Sequence, residues 1–478
     1  MTTPPAPQLT AAQIPPRRIL TAVMNSVAAG VTPRTGVEYL AVGRKAETET
    51  ILADLDNVAQ DSAAFRIVSG AFGSGKTFLL SLVRNYALQR GYVIMSVDLS
   101  AERRLTGTQG QGVATYRELT RNMATKTSPD GAALPTILER WIADIQFSIV
   151  QRDGLAANDR ALAQKVERQI VAAVSGIEGL VHGFDIAAVI VSYWKGMSQQ
   201  NDGLKEASIR WLRGEFATKT DAREALQGAV RVIIDDGTWY DYIKLLASFV
   251  TAIGYKGLVV ILDEAAALYK ISHPQARFAN YEKLLGILND CLQGGAGHLA
   301  VLVGATPQMI EDPRRGLFSY EPLRTRLQES QYAARSGIHD LSSTVIRLEP
   351  LSFEEIFVLL QTLRRLHALY YGYVEAVTDD QIKAFMEVTL SRVGADRFTT
   401  PREVIRDFVT LLNLVRQNPN RSFDSIIQGA DYAPTAASVD REAVLPPDEV
   451  EADPRDPGAP KAAASAETVG DRFKQFKL

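Results

Sequence analysis

The chain has 478 residues, 46% of them hydrophobic, and its 52 basic against 55 acidic side chains leave a formal net charge of −3. This excludes a wholly unfolded or collagen-like chain and a binder of nucleic acid by bulk positive charge, and no apolar run approaches the ~18–20 residues of a membrane span. The single cysteine, Cys291, excludes an intrachain disulfide and a multi-cysteine metal site, and the first residues lack the apolar core of a secretory signal, so a cytoplasmic protein of two or three domains is expected.

Pro4, Pro5, Pro7, Pro15 and Pro16 mark residues 1–16 as a flexible N-terminus. Residues 17–28 suit a short amphipathic helix. Residues 45–60 repeat apolar positions at three and four (Ile51, Leu52, Leu55, Val58) and predict a second. FRIVSG (65–70) reads as a buried strand, followed by a glycine loop, the helix TFLLSLVRNYALQR and a second buried strand, YVIMSVDLS (92–100). That order predicts an α/β fold with a covered, parallel sheet core. From about 101 to 240 the strand signal nearly vanishes, and ATYRELTRNMAT, LPTILERWIADIQFSIVQR and REALQGAVRVIIDD all read as helical. Strands return at GLVVILDE (257–264), HLAVLVGAT (298–306) and STVIRLEP (343–350). Ser352 with Glu355 spells a capping box ahead of a long helix, and Thr400-Pro401-Arg402-Glu403 repeats the device before REVIRDFVTLLNLVRQ. Residues 431–478, rich in Pro, Ala and acid, read as a disordered tail. Its last residues, 471–478, alternate Phe473, Phe476 and Leu478 with bases, as a docking peptide or a merely solubilising end would.

Gly70-Ala71-Phe72-Gly73-Ser74-Gly75-Lys76-Thr77 is a complete G-x-x-x-x-G-K-T loop between a strand and a helix. Small residues let backbone N–H groups curl around phosphate, and the following helix offers its positive end. Lys76 would reach the terminal phosphates, and the Thr77 hydroxyl would ligate Mg²⁺. ATP and Mg²⁺ are therefore the expected ligands. In LVVILDE, five apolar residues run into two acids. Asp263 would hold Mg²⁺ through water, and Glu264 would polarise the attacking water. HLAVLVGAT ends in Thr306, with Gln308 close behind. A polar side chain there touches phosphate or water if its strand lies between the other two; otherwise it only ends the strand.

The order of these parts resembles AAA+ ATPases of the origin-recognition and clamp-loader branch. Val42-Gly43-Arg44 is similar to that branch's adenine-packing segment, and Thr306 to its sensor. The resemblance implies an arginine finger in Glu321-Pro322-Leu323-Arg324-Thr325-Arg326-Leu327, with Arg326 the first choice and Arg324 the second. A finger of this kind stabilises transition-state charge across a subunit boundary, so a homo-oligomer is implied. Arg402 matches the sensor arginine of a small helical lid. An arginine in a helix's first turn also sits against the positive dipole end, which favours an anionic partner, although a salt bridge to Glu403 or Asp407 is the plainer alternative. Through VDLSAERRLTGTQGQGVATYRELTRNM, VLVGATPQMIEDPRRGLFSYEPLRTRL and TPREVIRDF, residues 17–425 also resemble a bacterial P-loop family of phage-defence islands, the ATP-binding proteins of BREX-like systems.

These resemblances imply a nucleotide-binding domain at 17–350 with a large helical insertion at about 101–240, and a helical lid at 351–430. Roughly 160 residues separate Asp98 from Leu258, where a minimal crossover needs a dozen or more. The insertion opens with Arg103, Arg104 and the run Gly107–Gly112, which suits a loop against a DNA backbone or a flexible surface loop. Residues 431–478 carry a charge of −4, leaving +1 for residues 1–430, so the body can still present local DNA-binding loops. The leading expectation is an ATP-hydrolysing switch or motor of anti-phage defence that assembles on DNA with a helicase or other partner. The alternative is a nucleotide-gated signalling scaffold whose insertion recognises a protein.

Overall fold

The structure is a computed structural model and describes residues 14–154, 160–175, 183–329, 340–390 and 400–427. The proposed docking peptide at 471–478 lies outside them. Helix α1 (Arg17–Ala28) starts after Pro16 and buries Leu20, Val23, Met24 and Val27, one stripe at helical spacing. A 3₁₀ turn (Val37–Leu40) leads to α2 (Lys45–Val58). Then come β1 (Ala63–Ser69), α3 (Lys76–Arg90) and β2 (Val93–Asp98).

Between β2 and the next strand the described chain is helical: α4 (Gln111–Arg121), α5 (Leu134–Asp153), α6 (Arg160–Ser175), α7 (Gly183–Ser198), α8 (Asp202–Leu212), α9 (Lys219–Ala225) and α10 (Trp239–Ala252). The helix expected through Asp236 ends instead at Ala225. Gln227 and Gly228 take positive φ, which an α-helix does not accommodate. The loop at 101–112 is anchored rather than slack. The Asn280 amide oxygen accepts from Leu105 N (2.9 Å) and Thr106 N (3.1 Å), and the Asp236 carboxylate accepts from Gly107 N and Val113 N, both at 2.9 Å. The α4 N-terminus thus already holds an anion from its own chain.

The chain continues with β3 (Leu258–Asp263), α11 (Ala266–Tyr269), α12 (Pro274–Gln293), β4 (Leu299–Ala305), α13 (Pro307–Glu311), α14 (Glu321–Leu327) and β5 (Val345–Arg347). It ends in α15 (Phe353–Tyr371), α16 (Asp379–Leu390), α17 (Pro401–Gln417) and α18 (Phe423–Ile427). Both capping boxes form, at Ser352–Glu355 and Thr400–Glu403.

The five strands are parallel in the order β2-β3-β4-β1-β5, so β4 lies between β1 and β3. Side chains alternate between two cores, as the strand period of two requires. Leu258, Val260 and Leu262 of β3 face a core shared with α5 to α10, while Val259 and Ile261 face α2 and α3. A separate core joins α1 to α15–α18, with Leu363, Phe385 and Phe408 fully buried. Helix α1, which chain order assigns to the sheet's domain, therefore packs with the C-terminal helices. Among the described residues no helix is long and apolar enough to cross a membrane.

Candidate nucleotide-binding site

Parallel register brings the C-terminal ends of β1, β3 and β4 to one edge of the sheet, the usual place for ligands in open α/β folds. The loop leaving β1 turns at Gly73 (φ 77°) and Gly75 (φ 100°), conformations that favour glycine. A Cβ on Gly73 would also stand 2.7 Å from Thr400 Oγ1. Gly75 caps α3, whose first turn carries no acid, so its N–H groups and dipole present positive potential to the loop. Lys76 Nζ donates to the carbonyls of Gly70 (2.8 Å) and Ala71 (2.9 Å). Ser74 Oγ is buried with no hydrogen-bond partner among the described residues. A cradle of N–H groups, an ammonium and an unsatisfied hydroxyl fits a polyphosphate.

Opposite the loop, Thr77 Oγ1 donates to Asp263 Oδ2 at 2.7 Å, and Asp263 Oδ1 accepts from Glu264 N at 2.8 Å. Asp263 is 5% exposed. A hydroxyl and a carboxylate are hard oxygen donors that suit Mg²⁺, which typically takes one or two protein carboxylates and completes its shell with waters and substrate phosphates. Accordingly, no group of three or more His, Cys, Asp or Glu that would hold a metal by itself occurs among the described residues. Thr77 and Asp263 are the residues that would hold the ion. Asp98 is the register partner of Asp263, and withdrawal from water together with the Asp263 carboxylate pushes its carboxyl above the ordinary range.

Glu264 takes φ 53°, a left-handed conformation that costs a residue with a Cβ about 1–2 kcal/mol. The bonds from Glu264 N to Asp263 and from Ala265 N to Gly304 O (2.9 Å) enforce it. The turn brings Glu264 to the wall of a cleft of about 930 Å³, measured out to its open mouth. Residues 72–78 form the cleft's phosphate end. The apolar part of its lining is made by Val27, Val31, Leu40, Val42, Leu351, Leu359 and Ile405. An apolar slot of this kind suits a flat base with few polar groups.

Of the Val42-Gly43-Arg44 segment, Val42 and Arg44 line the cleft and Gly43 does not. Gly43 (φ 71°) is overlain by Glu355, whose Oε1 would lie 2.4 Å from an added Cβ. Arg44, 6% exposed, fastens the site. It donates to Ser74 O (3.2 Å) and Glu349 O (2.8 Å) and pairs with Glu47 (3.3 Å). Gly70 and Ala71 act through their carbonyls on Lys76 rather than by lining the cleft. Arg402 lines it, with its guanidinium 4.9 Å from the centre of the Phe72 ring.

The remaining sensor and finger candidates stand elsewhere. Thr306 does end the strand that lies between the other two, but its hydroxyl caps α13 by accepting from Met309 N (3.3 Å). Neither it nor Gln308 lines the cleft. Arg324 pairs with Glu321 (3.7 Å) and Arg326 donates to Pro322 O (2.7 Å). Both are exposed on α14, outside the cleft of their own chain. Sequence reading missed Val27, Val31, Leu351 and Leu359, whose only signal is apolar character in or beside a helix. It also missed Thr400 as the residue seated on Gly73, although the capping box marked its helix start.

No curated protein matches the chain. A family model described as "BREX system ATP-binding protein BrxC/D" matches residues 14–431, which include every residue of the cleft. The chain therefore belongs to the BREX system ATP-binding protein BrxC/D family, and the cleft between its sheet and its C-terminal helices is where its residues suit ATP.

Proposed function

We propose that the chain hydrolyses ATP with Mg²⁺ as an AAA+ type ATPase of phage defence, in the cytoplasm, with α15–α18 as its lid and α4–α10 as a helical insertion. The observation that carries this reading is the join of Thr77, Asp263 and Glu264, a buried carboxylate held to the loop hydroxyl with an acid turned into the cleft beside it. Lys76 exchanges its contacts with loop carbonyls for the terminal phosphates, and Glu264 accepts the proton of the attacking water. The water oxygen bonds to the terminal phosphorus as the bond to the departing ADP oxygen breaks. Mg²⁺, bound with the nucleotide, would offset charge on the phosphate oxygens. Arg402 reaches the terminal phosphate from the lid. The exposed arginines of α14, Arg326 first and Arg324 second, act on the cleft of a neighbouring copy in a homo-oligomer. Thr306, held as a helix cap, takes part only if its second lone pair or its proton faces the water.

In this reading the assembly acts on DNA as a switch or motor with a helicase or other defence protein. The test is phosphate release and oligomer state of the full chain, with and without single- and double-stranded DNA. Turnover that neither form of DNA nor a defence partner changes would remove the DNA-acting role. Lys76→Ala should weaken ATP binding on the order of a hundredfold or more, since it removes a charge-assisted contact. Normal affinity in that variant would remove the site.

A second reading, a nucleotide-gated scaffold, is favoured by two observations. The arginine- and glycine-bearing loop at 101–112 is tied down by Asp236 and Asn280, and the insertion exposes Phe147 (66%) and Phe184 (71%). ATP-dependent assembly without DNA, together with capture of a protein through residues 101–240, would select it.

A further inference from the structure

We propose that Phe72, inside the phosphate loop, is a positioning residue that holds the Arg402 guanidinium toward the terminal phosphate of ATP. The inference rests on the reading of Arg402 as a phosphate contact and adds what orients it.

Packing does not account for Phe72. Its side chain is 42% exposed and joins none of the three hydrophobic cores, although it sits where the loop otherwise carries small residues. Its ring instead meets the Arg402 guanidinium at 4.9 Å, a distance at which a cation is attracted to the negative face of an aromatic ring. Arg402 needs such a seat. It occupies the first turn of α17, where the helix dipole repels a cation, and the acid beside it is committed elsewhere: Glu403 Oε2 accepts from Thr400 N at 3.1 Å as part of the capping box.

Two backbone approaches aim the pair. Thr400 lies directly on Gly73, with its Oγ1, Cβ and Cγ2 within 2.7–2.9 Å of where a Cβ would stand. The Arg402 stem passes Gly30, with Cγ at 3.8 Å from the same kind of point. The guanidinium is thus threaded between the N-terminal segment and the loop, along the wall of the cleft. A guanidinium carries five N–H donors, so one that rests over a ring keeps donors for a phosphate, and ring and phosphate can hold it together. An exposed arginine without the ring samples many rotamers, and ordering it on ATP binding costs affinity.

The test compares binding of a non-hydrolysable ATP analogue and of ADP to the full chain by titration calorimetry. Phe72→Leu should weaken the analogue about two- to fivefold more than it weakens ADP, the range of an exposed cation–ring contact. Phe72→Tyr should retain wild-type affinity for both, and Phe72→Leu should add nothing to Arg402→Ala. Equal losses for analogue and ADP, or full additivity with Arg402→Ala, overturn the inference. If Arg402→Ala weakens the analogue while Phe72→Leu does not, the inference falls alone. If Arg402→Ala changes nothing, the reading of Arg402 falls as well. Circular dichroism of each variant, with Phe72→Tyr as the conservative control, separates misfolding from loss of positioning.

Discussion

On the sheet side of the cleft, Lys76, Thr77 and Asp263 are tied by hydrogen bonds of 2.7–2.9 Å to backbone or to one another, and Glu264 is locked by its own amide. On the helical side, Arg402 is exposed and rests on a ring, and the helices that carry it have a core of their own, shared with α1 and not with the sheet. Groups that must meet developing charge without rearranging belong on the first side, because preorganised dipoles stabilise charge most when they need not move. Groups that report which nucleotide is present belong on the second, because a body with a separate core can shift without breaking the other.

Glu264→Gln should lower turnover by about 10²–10⁴ while ATP binding is kept, the range expected when a positioned base is lost. Phosphate release and nucleotide titration on one preparation would check it, and unchanged turnover would take Glu264 out of the chemistry. Phe408→Ala should cost about 3–5 kcal/mol, since Phe408 is fully buried against Phe385 with ring centroids 5.2 Å apart. Calorimetry should show the loss in a transition of the helical unit alone. One transition moving as a whole would mean that the two sides unfold together, and the comparison would fail.

The strain at Glu264 gives a smaller effect of unusual sign. Glu264→Gly should be about 1 kcal/mol more stable than Glu264→Ala by denaturant unfolding, because only glycine adopts φ 53° without cost. Equal stabilities would mean that the turn relaxes when its carboxylate is removed.

The smallest effect concerns pH. His367 is buried between Tyr373 Oη (2.7 Å) and Asn413 Oδ1 (3.2 Å). Burial pulls its pKa below the ordinary 6.5, Asn413 opposes the shift and Arg416 adds to it. The unfolded chain then takes up the proton first as pH falls. The stability that a neutral His367 contributes is present above pH 6.5 and is lost progressively below it. Urea unfolding of the helical unit at pH 7.5 and 5.5 should show the loss, and His367→Gln should flatten it.

The phosphate loop and the Asp263-Glu264 pair were legible because each is a run of neighbours whose chemistry depends on local spacing. The strands, both capping boxes and the starts of α1, α2, α3, α5, α15 and α17 were legible for the same reason, through apolar period and cap residues. Three features were not. Thr306 resembles a sensor in sequence, and only the structure shows that its hydroxyl also caps a helix. The glycines at 107–112 suggest freedom, yet Asp236, more than a hundred residues away, holds Gly107 at the start of the run and Val113 just after its end. Gly43 sits in a segment similar to an adenine-packing one, yet the space before it belongs to Glu355.

Sequence alone determined a tight glycine loop with a lysine and a threonine after the first strand, and two acids at the end of the third, because loop curvature and strand-end carboxylates are written in consecutive residues. Only the tertiary structure decided which apolar side chains line the cleft, which core α1 joins, and that Phe72 meets Arg402. Those contacts join residues hundreds of positions apart, and packing, which is not periodic in sequence, selects them.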